Sequence, residues 1–146
     1  MKRAALLAAS TLALGTIAFA HGGATGIVKE RMDQMSAVAK SMKAIAAMIK
    51  GAEPYDTNRV RELASEIGAR SGTHLTRLFP EGSQHPPTEA LPGVWSDWPR
   101  FAEQAERMRS AADALVDGAE PDTSRALFQT LAATCKSCHD TFRLEK

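Results

Sequence analysis

Residues 121–144, PDTSRALFQTLAATCKSCHDTFRL, decide how this 146-residue chain is to be read. Phe128, Leu131, Cys135, Cys138 and Phe142 follow one another at alternating steps of three and four. That is the spacing of neighbours on one helix face. Pro121-Asp122-Thr123-Ser124 supplies the cap, so a helix is expected from Asp122 to about Leu144.

The same period recurs upstream. Val28, Met32, Met35, Ala39, Met42, Ala46 and Ile49 form a stripe from about Thr25 to Lys50, stopped by Gly51 and Pro54. A second segment starts at Asp56 or Thr57 and carries Val60, Leu63, Ala64, Ile67 and Leu75, weakened late by Gly68 and Gly72. A third runs from about Ser96 to Asp117, with Trp98, Phe101, Ala105, Met108, Ala112 and Leu115, and closes at Gly118. Between the second and third lies Phe79 to Trp95, where Pro80, Pro86, Pro87 and Pro92 exclude a helix. The other connections are short, which makes segments one and two, and three and four, antiparallel neighbours. No strand alternation, internal repeat or low-complexity tract interrupts this pattern. Alanine occurs 26 times against 10 for valine and isoleucine together, a ratio that favours helix. The expected architecture is all-α: an antiparallel four-helix bundle with one long crossing loop between helices 2 and 3.

Composition narrows the class. With 44% hydrophobic and 24% charged residues, the chain is a single globular domain, neither disordered nor collagen-like. A formal charge of +1 offers no basic surplus for nucleic acid. Lys2 and Arg3 precede an uncharged run from Ala4 to Ala20 that ends in the small-x-small sequence Ala18-Phe19-Ala20. Residues 1–20 therefore read as a cleaved signal peptide, and residues 21–146 as the mature domain. The run is short for a bilayer span, so no stable membrane span is expected after cleavage. Without Lys2 and Arg3, 16 basic residues face 17 acidic ones, a mature charge of −1. Export places the chain in the periplasm, where an unprotected thiol pair tends to oxidise.

Two cysteines are too few for a disulfide scaffold, but Cys135-Lys136-Ser137-Cys138-His139 is C-x-x-C-H, the attachment signature of c-type haem. Cysteines three apart on a helix share a face, so each thiol reaches one vinyl group of a single haem. His139, the next residue, becomes the proximal iron ligand. A thioredoxin-like C-x-x-C belongs at a helix start beside a βαβ unit, which this pattern lacks. A closed zinc site needs four ligands, and His21, His74 and His85 lie in terminal or loop settings.

A four-helix bundle with C-x-x-C-H near the end of its last helix resembles the class II c-type cytochromes, the cytochrome c′ family. The likeness covers the whole mature chain. Lys50-Gly51-Ala52-Glu53-Pro54-Tyr55-Asp56 is similar to that family's first turn, and Trp95 and Cys138 through Arg143 also match family positions. The resemblance implies a covalent haem c held by Cys135 and Cys138, with Arg143 beside His139 and Arg31 on a haem propionate. It also implies that Met35 lies over the distal face. Leu78-Phe79-Pro80 looks more like the low-spin branch, in which such a methionine ligates the iron. Methionine at helical spacing is also ordinary core filling. A Met35 that merely covers the face is thus the alternative, as is Met32 or Met42 as the ligand. Arg31 has an acidic side chain as its alternative partner.

Two functions follow from these expectations. One is a periplasmic electron carrier, not an enzyme, with His139 and Met35 on iron and redox proteins as partners. The other is five-coordinate haem that binds nitric oxide or carbon monoxide at an open distal face. The resemblance further implies pairing of two copies through the first two helices, which the alanines of segment one permit. His21, as a mature N-terminus, reads as part of a mobile tail, and His74 and His85 as solvated. Phe79, Phe101, Phe128 and Phe142 read as core, and Glu103, Glu106, Arg107 and Arg109 as a solvated face with local pairs.

Overall fold

The computed structural model of the chain describes residues 23–145. The signal-peptide reading, the cleavage site and His21 lie outside them. Helices run over α1 (Gly26–Ile49), α2 (Thr57–Ala69), α3 (Thr73–Thr76), α4 (Gly93–Ser96), α5 (Trp98–Asp117) and α6 (Pro121–Phe142). The four long ones match the four periodic segments. Among the described residues, no helix is long and apolar enough to cross a membrane.

Contacts between helices give their directions. Gln34 on α1 reaches Arg70 just past α2, and Ser41 reaches Glu66, so α1 and α2 run antiparallel. Gly68 faces Ala112 and Asp113, while Gly72 faces Glu106 and Arg109, so α2 and α5 also run antiparallel. Arg125 at the start of α6 donates to Ile49 O at the end of α1, which closes the ring of helices.

Helix ends follow local chemistry. Asp56 caps α2 by accepting from Arg59 N at 3.0 Å. Gly72, at φ +57°, breaks the second segment after α2, and only the single turn α3 continues it. The connection expected to exclude a helix is corrected at its end: α4 forms one turn there, because Pro92 precedes it and no proline lies within it, and Asp97, whose φ of −126° and ψ of 53° leave the helical region, separates it from α5. The expected cap of α6 is corrected: the helix starts at Pro121, Glu120 is its N-cap, and no side chain caps it. It also ends at Phe142 instead of Leu144, because Arg143 turns extended and pairs with Ala90.

The core consists of two clusters. Ile45, Val60, Ile67, Leu115 and Leu131 anchor the larger one, where α1, α2, α5 and α6 meet. Each such fully buried side chain contributes about 1.5–3 kcal/mol. Leu75, Phe79, Val94, Phe101 and Phe142 form the smaller one at the end of the bundle that holds the crossing loop. Trp98, expected in the core stripe of α5, is 39% exposed, and its ring lies tilted against that of Phe101 with centroids 5.6 Å apart. The buried face of α1 is also displaced from the expected stripe. Val28, Arg31, Val38, Ser41, Ile45 and Met48 are buried, whereas Met32, Met35 and Met42 are half-buried and Ala39 is exposed. The reason is a cavity on that side of α1.

Candidate functional site

The cavity measures about 600 Å³ and opens between α1 and α6. Both core clusters reach it, through Val38 and Met108 from one and Leu75, Phe79 and Phe101 from the other. Its walls are mainly aliphatic and aromatic, with charge confined to Arg31, Glu89 and Arg143. Its size and lining are those of a site for a small molecule or cofactor.

From α6 the wall receives Cys135, Cys138 and His139. Both thiols are free and half-buried. Burial pushes the Cys135 thiol up, and pushes Cys138 up to about 11, with Cys135 adding to the shift. Both therefore stay protonated and neutral at pH 7. The His139 imidazole is shifted the other way, lowered first by desolvation and then by Arg143, while Asp140 and Glu89 oppose the shift. It is thus neutral at pH 7, as a metal-ligating imidazole must be.

From α1 the opposite wall receives Met32, Met35 and Met42, together with Arg31. Arg31 is only 5% exposed. Its Nε and Nη2 donate to Leu78 O at 3.0 and 2.8 Å, Nη2 also to Ser83 Oγ at 2.8 Å, and Nη1 to Thr88 Oγ1 at 2.9 Å. Its guanidinium lies 4.1 Å from the Phe79 ring centroid and 5.8 Å from that of Trp95. Those rings are fixed in turn, since Trp95 Nε1 donates to Phe79 O at 3.0 Å and to Pro80 O at 3.1 Å. Burial pulls the Arg31 guanidinium below its ordinary value. The oxygens around it are a carbonyl and two hydroxyls, so the crossing loop is its partner in the structure.

The loop's far end is tied to α6. Leu91 N donates to Phe142 O at 2.9 Å, and Leu144 N to Glu89 O at 2.8 Å. Arg143 donates to Glu89 Oε2 from Nε at 2.9 Å and from Nη2 at 2.7 Å. The loop thereby straps α1 to α6 and contributes Thr88, Glu89 and Ala90 to the cavity wall.

A family model described as Cytochrome C' matches residues 26–143, from the start of α1 to the end of the α6 tie. The chain belongs to the cytochrome c′ family. It is 32% identical over 123 residues to cytochrome c-556 of Agrobacterium tumefaciens (strain II Chrys), covering 83% of this chain and 99% of that one. The solved cytochrome c′ of Rhodopseudomonas palustris is similar at 30% identity and a TM-score of 0.78, over 84% of this chain and 99% of the other. A nitric oxide complex of a mutant cytochrome c prime from Alcaligenes xylosoxidans is similar at 25% identity and a TM-score of 0.73, over 82% and 94%. Cytochromes c′ are haem proteins of electron transfer and gas binding, and are periplasmic in general. They bind haem c covalently through cysteines, of which this chain has two.

The residues present fit that group. An apolar cavity offers a dry pocket, two thiols one helical turn apart share a wall, and a neutral imidazole stands beside them. All six residues singled out in the sequence (Cys135, Cys138, His139, Met35, Arg31 and Arg143) line this one cavity. Sequence reasoning missed Ser83, Thr88, Glu89 and Val94. Nothing local marks them, because they reach the site only through the path of the crossing loop. His74 is exposed on α3, and His85 is exposed in the crossing loop with its Nδ1 3.4 Å from Pro86 O.

Proposed function

We propose that this cytochrome c′ relative is a periplasmic electron carrier whose haem c is attached through Cys135 and Cys138, with His139 and Met35 as the axial ligands. The observation that carries the reading is that α6 brings both thiols and His139 to one wall of the cavity, while α1 brings Met35 to the other. When bound, haem c supplies a one-electron iron couple. Cys135 and Cys138 anchor the group at a single face, and the neutral imidazole of His139 presents a lone pair. The Met35 thioether offers a soft donor on the opposite side, which favours a raised potential and denies that position to gases. Phe79, Phe101 and Phe142 exclude water from the walls. Arg31 offers a cationic group to a propionate, with most of its N–H groups already turned to the loop, and Arg143 stands beside His139. Redox proteins as partners belong to the same proposal. So does a homodimer paired through α1 and α2, for which half-exposed Ala37 and Ala47 leave room on α1.

A second reading has its own support. Met32, Met35 and Met42 are half-buried alike, so nothing sets Met35 apart from a covering side chain. The similar Alcaligenes xylosoxidans protein is a nitric oxide complex. In this reading the distal side stays open to nitric oxide or carbon monoxide. An absorption spectrum of the reduced protein, with and without carbon monoxide, separates the two. The carrier gives sharp low-spin bands that carbon monoxide leaves unchanged, and Met35→Ala makes the bands high-spin and responsive to the gas. High-spin bands in the unaltered protein that shift with carbon monoxide overturn Met35 as ligand and leave the gas-binding reading.

A further inference from the structure

We propose that Glu89 is a positioning residue of the His139 side of the cavity: it holds the Arg143 guanidinium beside His139, balances its charge, and so lowers the potential of the site. The inference rests on His139 as the iron ligand. Glu89 comes from the crossing loop, and Arg143 is the first residue beyond α6, four after His139. Both of Arg143's bonds, from Nε and Nη2, converge on one carboxylate oxygen at 2.9 and 2.7 Å.

This pair differs from an ordinary surface ion pair, which is mobile and contributes little. The Glu89 side chain is 24% exposed and that of Arg143 46%, against 52% for Asp140 and 76% for the Lys136 it pairs with. The backbone on either side of the pair is also fastened, by the Ala90–Arg143 bridge, by Leu144 N to Glu89 O at 2.8 Å, and by Leu91 N to Phe142 O at 2.9 Å. The Cα atoms that carry the two side chains are thereby held at a fixed separation. Glu89, Arg143 and His139 line the same cavity, so the two charges act on whatever His139 ligates, partly screened by solvent on the Arg143 side. An added electron is favoured by a nearby cation and disfavoured by a nearby anion. The carboxylate cancels part of what Arg143 alone would contribute.

The test is a redox titration of the holoprotein with dithionite and ferricyanide, in which one electron enters the iron and no bond forms or breaks. Glu89→Gln keeps the shape and an acceptor oxygen but removes the charge. Its reduction equilibrium constant is expected to rise several-fold, up to about tenfold, which is 59 mV for one electron. Glu89→Asp should return most of the shift, and Glu89→Gln with Arg143→Gln should bring the potential back near its starting value. A Glu89→Gln potential that falls, or that moves by less than about twofold in that constant with helicity and haem content intact, overturns the role of Glu89. His139→Gly is the control for the underlying reading. If the haem spectrum is unchanged there, the ligand assignment falls. If it changes while Glu89→Gln does nothing, only the role of Glu89 falls.

Discussion

Replacing Arg31 with methionine should loosen the crossing loop and cost about 3 kcal/mol of stability. Arg31 makes four hydrogen bonds to Leu78, Ser83 and Thr88, which lie 47, 52 and 57 residues away along the chain. Hydrogen bonds to a charged donor contribute about 1.5–3 kcal/mol each. The contact with Phe79 at 4.1 Å adds about 0.5–2 kcal/mol. Against these stands the cost of burying a guanidinium without a carboxylate in its hydrogen-bonding shell, several kcal/mol. Methionine removes that cost and fills much of the same space, but leaves the acceptors without their donor. The difference is a net loss of about 3 kcal/mol, or about 1.5 M in urea midpoint at a slope near 2 kcal/mol/M. Hydrogen exchange gives a second readout. The amides of Ser83 and Thr88, bonded to Pro80 O and His85 O, should lose protection, while those of Leu91, bonded to Phe142 O, and Leu144, bonded to Glu89 O at the loop's far end, should keep most of theirs. Arg31→Lys should fall between, since one ammonium cannot span three acceptors in the planar geometry. A loss below about 1 kcal/mol with loop protection unchanged refutes the argument. In that case the hydrogen bonds to the loop do not hold it, and Arg31 serves chiefly the bound cofactor.

Gly72→Ala should cost more than Gly51→Ala in thermal melts. Both positions have positive φ, +57° and +75°, which costs an alanine about 1–2 kcal/mol. Only at Gly72 does a new Cβ fall 2.5 Å from Glu106 Oε1, disturbing the pair with Arg109, so equal losses would argue against the close approach. The raised Cys138 thiol predicts slow alkylation of the folded haem-free chain at pH 8, climbing with pH toward about 11. The sign is that of a neutral form favoured by folding. Its contribution to stability is whole below the unfolded thiol's value of about 9 and is lost as pH rises through about 11. A folded-state alkylation curve that overlays the curve in urea would contradict the burial of this thiol.

The four long helices were legible because each is written in a repeating apolar period, and a period survives whatever the helix later packs against. The C-x-x-C-H run was legible for a related reason: a covalent attachment and an adjacent ligand need fixed spacing on one turn. Residue by residue, less is legible at faces and ends. The stripe of α1 reads as core, yet Met32, Met35 and Met42 are half-buried at a cavity, and a buried charged residue on that helix is Arg31. A period says which residues share a face but not whether protein or an open cavity stands opposite. Trp98 fits the α5 period and still faces partly outward, although its ring packs against Phe101.

By itself the sequence determined an all-helical bundle, a long proline-rich connection, and two thiols with a histidine on the last helix. These are local matters of backbone propensity, side-chain spacing and proline geometry. Only the tertiary structure decided where the connection goes. It runs across the open side between α1 and α6, tied by Arg31 at one end and by Glu89 and Arg143 at the other. Those bonds join residues 47 to 57 apart, largely through carbonyls and hydroxyls of kinds that any sequence possesses. Such partners become specific only when packing brings them together, which is why Glu89, unlike Arg143, could not be placed beside His139 from the chain alone.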